Sequence, residues 1–105
     1  MADFSKIFEQ AQQMQARMQE MQAELEKQTV TAAAGGGLVT VEADGKGTIT
    51  RVTIDPSVAD PKDVEMLEDL VLVAVNEAQK KASELAKGEM GKLTGGLNLP
   101  FKLPF

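Results

Sequence analysis

Cysteine and histidine are both missing from this chain of 105 residues. Their absence rules out disulfides, thiolate chemistry, zinc sites of the usual kind and Ser-His or Cys-His nucleophiles. No catalytic residue, metal site or cofactor is therefore expected, and no pair of catalytic groups is visible elsewhere. Tryptophan and tyrosine are missing too, and the four phenylalanines fall at residues 4, 8, 101 and 105. Base-stacking platforms built on aromatic strands are thereby disfavoured. No apolar run approaches the ~20 residues of a membrane span. No signal-peptide pattern opens the chain either, so the expected location is the cytoplasm, with no membrane partner. Positive charge is scarce: 11 Lys and Arg against 16 Asp and Glu give a net charge of -5. That is the wrong sign for an ordinary nucleic-acid binder.

The distribution of charge says more than its sum. Residues 55–69 hold six carboxylates and one lysine, whereas residues 79–105 hold five lysines and two glutamates. The chain is charge-segregated, with its basic surplus towards the C-terminus. By length it is one domain, and a domain of this size buries only about two thirds of its unfolded surface, which favours a dimer.

Two β-type runs meet at Asp44-Gly45-Lys46-Gly47, and their period-two patterning predicts a hairpin over 38–55. A short loop sets Ala43 against Thr48, Val41 against Thr50 and Val39 against Val52 on one mainly apolar face. Glu42 then opposes Ile49, Thr40 opposes Arg51 and Leu38 opposes Thr53 on the other. Upstream, Thr29-Val30-Thr31 is compatible with a third strand over 28–34, although the alanines that follow leave this open. Gly35-Gly36-Gly37 reads as a turn or bulge, because no P-loop lysine follows and a strand, not a helix, comes next.

The spacing predicts a helix over 3–27. Phe4, Ile7, Ala11, Met14, Met18, Met21 and Leu25 form a narrow a/d seam, the expected dimer or arm contact, made adaptable by three methionines. The seam suits one facing helix. It fits packing on the chain's own hairpin and second helix, and it equally fits a protruding or intermolecular coiled coil about 36 Å long. A second helix is predicted over 61–87, with Asp60 as N-cap, Pro61 at the first helical position and Gly88 as its stop. Its apolar stripe is broad and its middle is thinned by Ala74, Ala78 and Ala82, so this helix should lie on the sheet. Asp55, Asp60 and Asp63 read as caps rather than as metal ligands. Residues 91–105 read as an extended or mobile tail unless they dock.

The ordered set of segments resembles the YbaB/EbfC nucleoid-associated proteins. The matching residues are Gln10-Ala11-Gln12-Gln13-Met14-Gln15, Gly37-Leu38-Val39-Thr40-Val41 and Val52-Thr53-Ile54-Asp55-Pro56-Ser57. They continue through Glu65-Met66-Leu67-Glu68-Asp69-Leu70-Val71, Asn76-Glu77-Ala78 and Leu99-Pro100-Phe101-Lys102-Leu103-Pro104-Phe105. The resemblance implies an α+β fold, an α-β-β-β-α protomer with a small antiparallel sheet between two long helices. It also implies a homodimer with tweezer-like helical arms that binds double-stranded DNA with low or moderate sequence preference, altering DNA conformation in the nucleoid. The family has no short DNA-reading motif to carry over, so charge and position supply the candidates for phosphate contact. These are Lys6 and Arg17 on the first helix and Lys80, Lys81 and Lys87 late in the second. The alternative is an adaptor module that recruits a protein partner through the Met-rich seam and the C-terminal tail.

Overall fold

The computed structural model describes residues 4–95. Its elements are α1 (Phe4–Lys27), β1 (Thr29–Ala34), β2 (Val39–Asp44), β3 (Ile49–Ile54), a 3-10 turn (Pro56–Val58) and α2 (Val64–Gly95). The strands form one antiparallel sheet in the order β1-β2-β3, so the architecture is α-β-β-β-α. Residue 3, at the start of the first predicted helix, and residues 96–105 of the predicted tail lie outside the described residues.

Alternation makes the sheet one-sided. Val39, Val41 and Ala43 of β2 are fully buried, while Thr40, Glu42 and Asp44 between them are half-buried. The inner face consists of three cross-strand rows: Ala34, Val39 and Ile54; Ala32, Val41 and Val52; Val30, Ala43 and Ile49. Gly35, Gly36 and Gly37 make the β1–β2 turn with positive φ throughout, a backbone that side chains with a Cβ resist.

The hairpin register differs from the sequence expectation. Val41 faces Val52 rather than Thr50, Glu42 faces Arg51 directly, and Ile49 joins the inner face opposite Ala43. Asp44 causes part of the shift, because its Oδ1 accepts the backbone N–H groups of both Lys46 and Thr48, at 2.9 and 3.0 Å, and lengthens the turn. A bulge supplies the remainder: Thr50 has no opposite residue, and its hydroxyl donates to the Glu42 carbonyl at 3.3 Å.

α2 covers β1 and β2 and scarcely reaches β3. Ala74, Ala78 and Ala82 bring it close to the sheet, at 0–1% exposure. It starts at Val64, not Pro61. Asp63 supplies the cap, its Oδ1 accepting the Met66 N–H at 3.3 Å, while Asp60 closes a preceding turn through its carbonyl to Asp63 N at 3.0 Å. Proline suits the second position of such a turn as well as the first position of a helix. Gly88 does not end α2, which continues through Gly91 to Gly95, so residues 91–95 are helical rather than extended. Each internal glycine costs about 1 kcal/mol relative to alanine. Leu85, Ala86, Met90 and Leu93 are half-buried along this stretch and offset that cost by packing.

Asp55 caps the 3-10 turn, its Oδ1 accepting the Ser57 N–H at 2.9 Å. That backbone hydrogen bond, helped by one from the Ser57 side chain, holds the Asp55 carboxyl below its ordinary value of 3.8. A carboxyl with a lowered folded value stabilises the fold above its unfolded value and loses that contribution as pH falls through the folded one. Asp55→Asn keeps an acceptor for Ser57 but cannot titrate. In denaturant midpoints followed from neutral pH into the acid range, the variant is expected to show a shallower acid loss than the parent.

Candidate nucleic-acid interface

Among the described residues α1 is buried most firmly at its C-terminal end. Leu25 is buried at 3% exposure and Met14 and Met21 are half-buried, whereas Phe4, Ile7, Ala11 and Met18 are exposed, Phe4 at 70%. Arg17, Glu20, Met21 and Glu24 share a shallow groove with Glu89, Lys92 and Leu93 of α2. Leu25, further along α1, is bonded to Gly45, whose turn lies against Gln79, Ala82 and Ala86 earlier on α2, so higher numbers on α2 meet lower numbers on α1 and the helices run antiparallel as a two-helix arm leaving the sheet. The principal extents of 74 × 23 × 16 Å reflect this projection. The N-terminal half of the seam extends beyond the contact with α2, and the sequence pattern alone does not reveal where that contact ends.

The five candidate cations are all exposed, but they differ in what holds them. Lys81 donates from Nζ to the Thr31 carbonyl of the edge strand β1 at 2.7 Å. Among the described residues Lys6, Arg17, Lys80 and Lys87 form no ion pair, in contrast to Lys27, Lys46 and Lys92, which pair with Glu24, Glu26 and Glu89. Lys80 and Lys87, one heptad apart, lie within about 20° of each other around α2. They face away from the sheet, opposite the buried Ala78 and Ala82. Lys6 and Arg17 are eleven residues apart, which returns to nearly the same line on α1 about 16 Å along it. The structure therefore sets one pair of unpaired cations on each helix and brings Arg17 beside Lys92. Lys92 escapes a reading in which the helix stops at Gly88; its signal is an eleven-residue spacing from Lys81 on a helix that continues.

Carboxylates also lie on the arm, where Glu20, Glu24 and Glu89 share the groove of Arg17 and Lys92, but the stretch 55–69 holds six of them against one lysine. Asp55, Asp60 and Asp63 cap turns or helices, and Glu65, Glu68 and Asp69 lie in the first turns of α2, near its positive dipole end. No group of three His, Cys, Asp or Glu side chains among the described residues is placed to hold a metal ion. No helix among them is long and apolar enough to cross a membrane.

One apolar surface remains uncovered. Because α2 stops short of β3, Val52 and Ile54 stay 44% and 39% exposed on the inner face. Beside them an open groove of about 450 Å³ is lined by Ile54, Leu67, Glu68, Val71, Leu72 and Val75, with Leu72 59% exposed.

Fold and surface together define an α+β protein with a projecting helical arm that carries exposed cations without an ion-pair partner among the described residues. The chain belongs to the YbaB/EbfC DNA-binding family, whose profile matches residues 1–97. It is 54% identical over 103 residues to a nucleoid-associated protein of Gemmatimonas aurantiaca, covering 98% of this chain and 99% of the relative. It is 53% identical over 98 residues to one of Clostridium novyi, covering 93% and 86%. The crystal structure of an uncharacterized Helicobacter pylori protein superposes with a TM-score of 0.81 at 23% identity, covering 90% of this chain and 99% of that one. That likeness establishes the fold.

Proposed function

We propose that the protein is a non-enzymatic, homodimeric nucleoid-associated protein of the cytoplasm. It binds duplex DNA through its helical arms with low or moderate sequence preference and alters the conformation of the DNA. Family membership over nearly the whole chain carries this reading, and the names of the relatives favour it over an adaptor module. The second copy sits on the uncovered groove. An isologous pair brings Val52, Ile54, Leu72 and Val75 of each chain under the other's matching surface and removes apolar area that a lone protomer leaves in water. Two arms then flank one duplex.

The contacts are to phosphate. Lys80 and Lys87, with Lys6 and Arg17, are exposed cations on helix surfaces and supply positive charge to the backbone, and phosphate contacts position a protein on DNA without encoding sequence. Lys81 contributes less, since reaching DNA would break its bond to Thr31. Competition between two unrelated duplexes of equal length tests the specificity. They are expected to displace each other within about tenfold, against the 10³-fold or more of a sequence reader. A larger preference would contradict phosphate-dominated binding.

A further inference from the structure

The root of α1 is fixed in an unusual way. The Leu25 carbonyl, one of the last in the helix, accepts two backbone N–H groups, from Gln28 at 3.2 Å and from Gly45 in the hairpin turn at 2.8 Å. The second is a C-cap supplied by a different element. Gly45 is buried, and a Cβ built on it would lie 2.7 Å from the Leu25 carbonyl oxygen, 2.9 Å from Leu25 Cδ2 and 3.1 Å from its Cα. The nearest of these is backbone, which cannot turn aside as a side chain does. Next to it, Lys46 Nζ pairs with Glu26 Oε1 at 3.0 Å, a cation at a helix C-terminus where the dipole favours it. The turn is itself braced: Asp44 Oδ1 accepts from Lys46 and Thr48, and Gln79 Nε2 of α2 donates to the Gly47 carbonyl at 3.3 Å.

We propose that the turn from Asp44 to Thr48 is the socket that sets the direction of the α1 arm, with Gly45 as the positioning residue for DNA binding. The binding half of this statement rests on the function proposed above; the geometric half does not. Among the described residues the main contacts of α1 are with α2 and with β2 and its turn, so a displacement of a few tenths of an ångström at Leu25 is magnified along a helix of about 36 Å. Glycine is required at position 45 for close approach and not for its backbone angle, since its φ is not in the left-handed region. Gly47 is the converse: its φ is +92° and nothing lies within 4 Å of its missing Cβ. Gly47→Ala thus strains the turn without touching the arm, and Gly45→Ala pushes the arm without straining the turn.

The absence of native cysteine makes the test direct. Nitroxide labels on Gln12→Cys and Thr53→Cys report the arm-to-sheet distance in full-length protein, with labelled chains diluted in unlabelled so that each dimer carries one pair. Gly45→Ala is expected to shift or broaden the distance distribution, and Gly47→Ala to leave it unchanged even where it lowers the melting temperature. Lys46→Glu is expected to broaden it and Glu26→Lys in the same chain to restore it. DNA titrations of the same folded proteins should show at least a fivefold loss for Gly45→Ala and no comparable loss for Gly47→Ala. An unchanged distribution in Gly45→Ala, or equal changes in both glycine variants, would overturn the socket. A shifted arm with unaltered DNA affinity would overturn the positioning role. Failure of the unsubstituted protein to bind DNA would refute the function and leave the distance result standing.

Discussion

Leu72→Asp is expected to convert the protein to a monomer. Leu72 is 59% exposed in the protomer, so a carboxylate there should leave the fold of the single chain intact. In the proposed dimer the same carboxylate is buried against the apolar faces of β3 and α2, and two-fold symmetry applies the penalty twice. With about 2 kcal/mol or more at each copy, the dimer dissociation constant rises roughly 10³-fold. Light scattering at micromolar concentration should give the protomer mass, and far-UV circular dichroism should match the parent. DNA binding should weaken in parallel, because a lone arm has half the phosphate contacts. Persistence of the dimer in this variant would place the interface elsewhere, and unfolding would be checked by Ile54→Ser, a milder change at the opposite side of the groove.

Reversing two charges on α2 has the other large effect. In Lys80→Glu with Lys87→Glu, the proposed dimer loses four cations that have no carboxylate partner among the described residues. Each phosphate contact contributes about 0.9 to the slope of log affinity against log salt, so the slope should flatten by about 3 to 4. Near physiological salt that corresponds to about three orders of magnitude in affinity. Both side chains point away from the sheet, so stability should change little. Lys62→Glu is the control, being a single lysine within the acidic stretch, distant in sequence from the arm. Its affinity should stay close to that of the parent; a loss about half as large on the logarithmic scale, in proportion to one reversed lysine against two, would mean that net charge rather than position governs binding.

The legible and illegible parts of the fold separate by the range of the physics involved. Alternation in β2 and the broad stripe with Ala74, Ala78 and Ala82 are local patterns, and they reveal which strand face is buried and which helix covers it. The hairpin register is another matter. A shift of two residues preserves side-chain parity, so the pattern of Val39, Val41 and Ala43 cannot distinguish Val52 from Thr50 as the partner of Val41. The deciding groups are Asp44 Oδ1, which lengthens the turn, and Thr50, which bulges. Gly88 looks like a stop because propensity favours one. It lies inside α2 because the arm continues to bury Met90 and Leu93 partially, a tertiary gain invisible in a local window.

Site residues divide in the same way. Charge and helical phase place Lys80 and Lys87 together on one outward face, and the structure leaves both unpaired. Lys81 has the same composition signal and a neighbouring number, yet the rotation of 100° per residue turns it to the β1 edge, where it meets Thr31. Gly45 carries no signal as a positioning residue at all: in the sequence it is half of a turn dipeptide. Its close approach to Leu25 exists only once α1 has folded back against the hairpin.

If, as proposed, paired arms hold duplex DNA by phosphate contact despite an acidic chain, affinity must fall steeply with salt. The measurement is the affinity of the unsubstituted protein for a labelled duplex, followed by fluorescence anisotropy across a salt series. Four cations on each two-helix arm, Lys6, Arg17, Lys80 and Lys87, predict steeply falling affinity, with a log-log slope of about -4 or steeper when half or more of the eight in the proposed dimer reach phosphate. A slope near zero, or no binding at low salt, would rule out arms that hold DNA through phosphate.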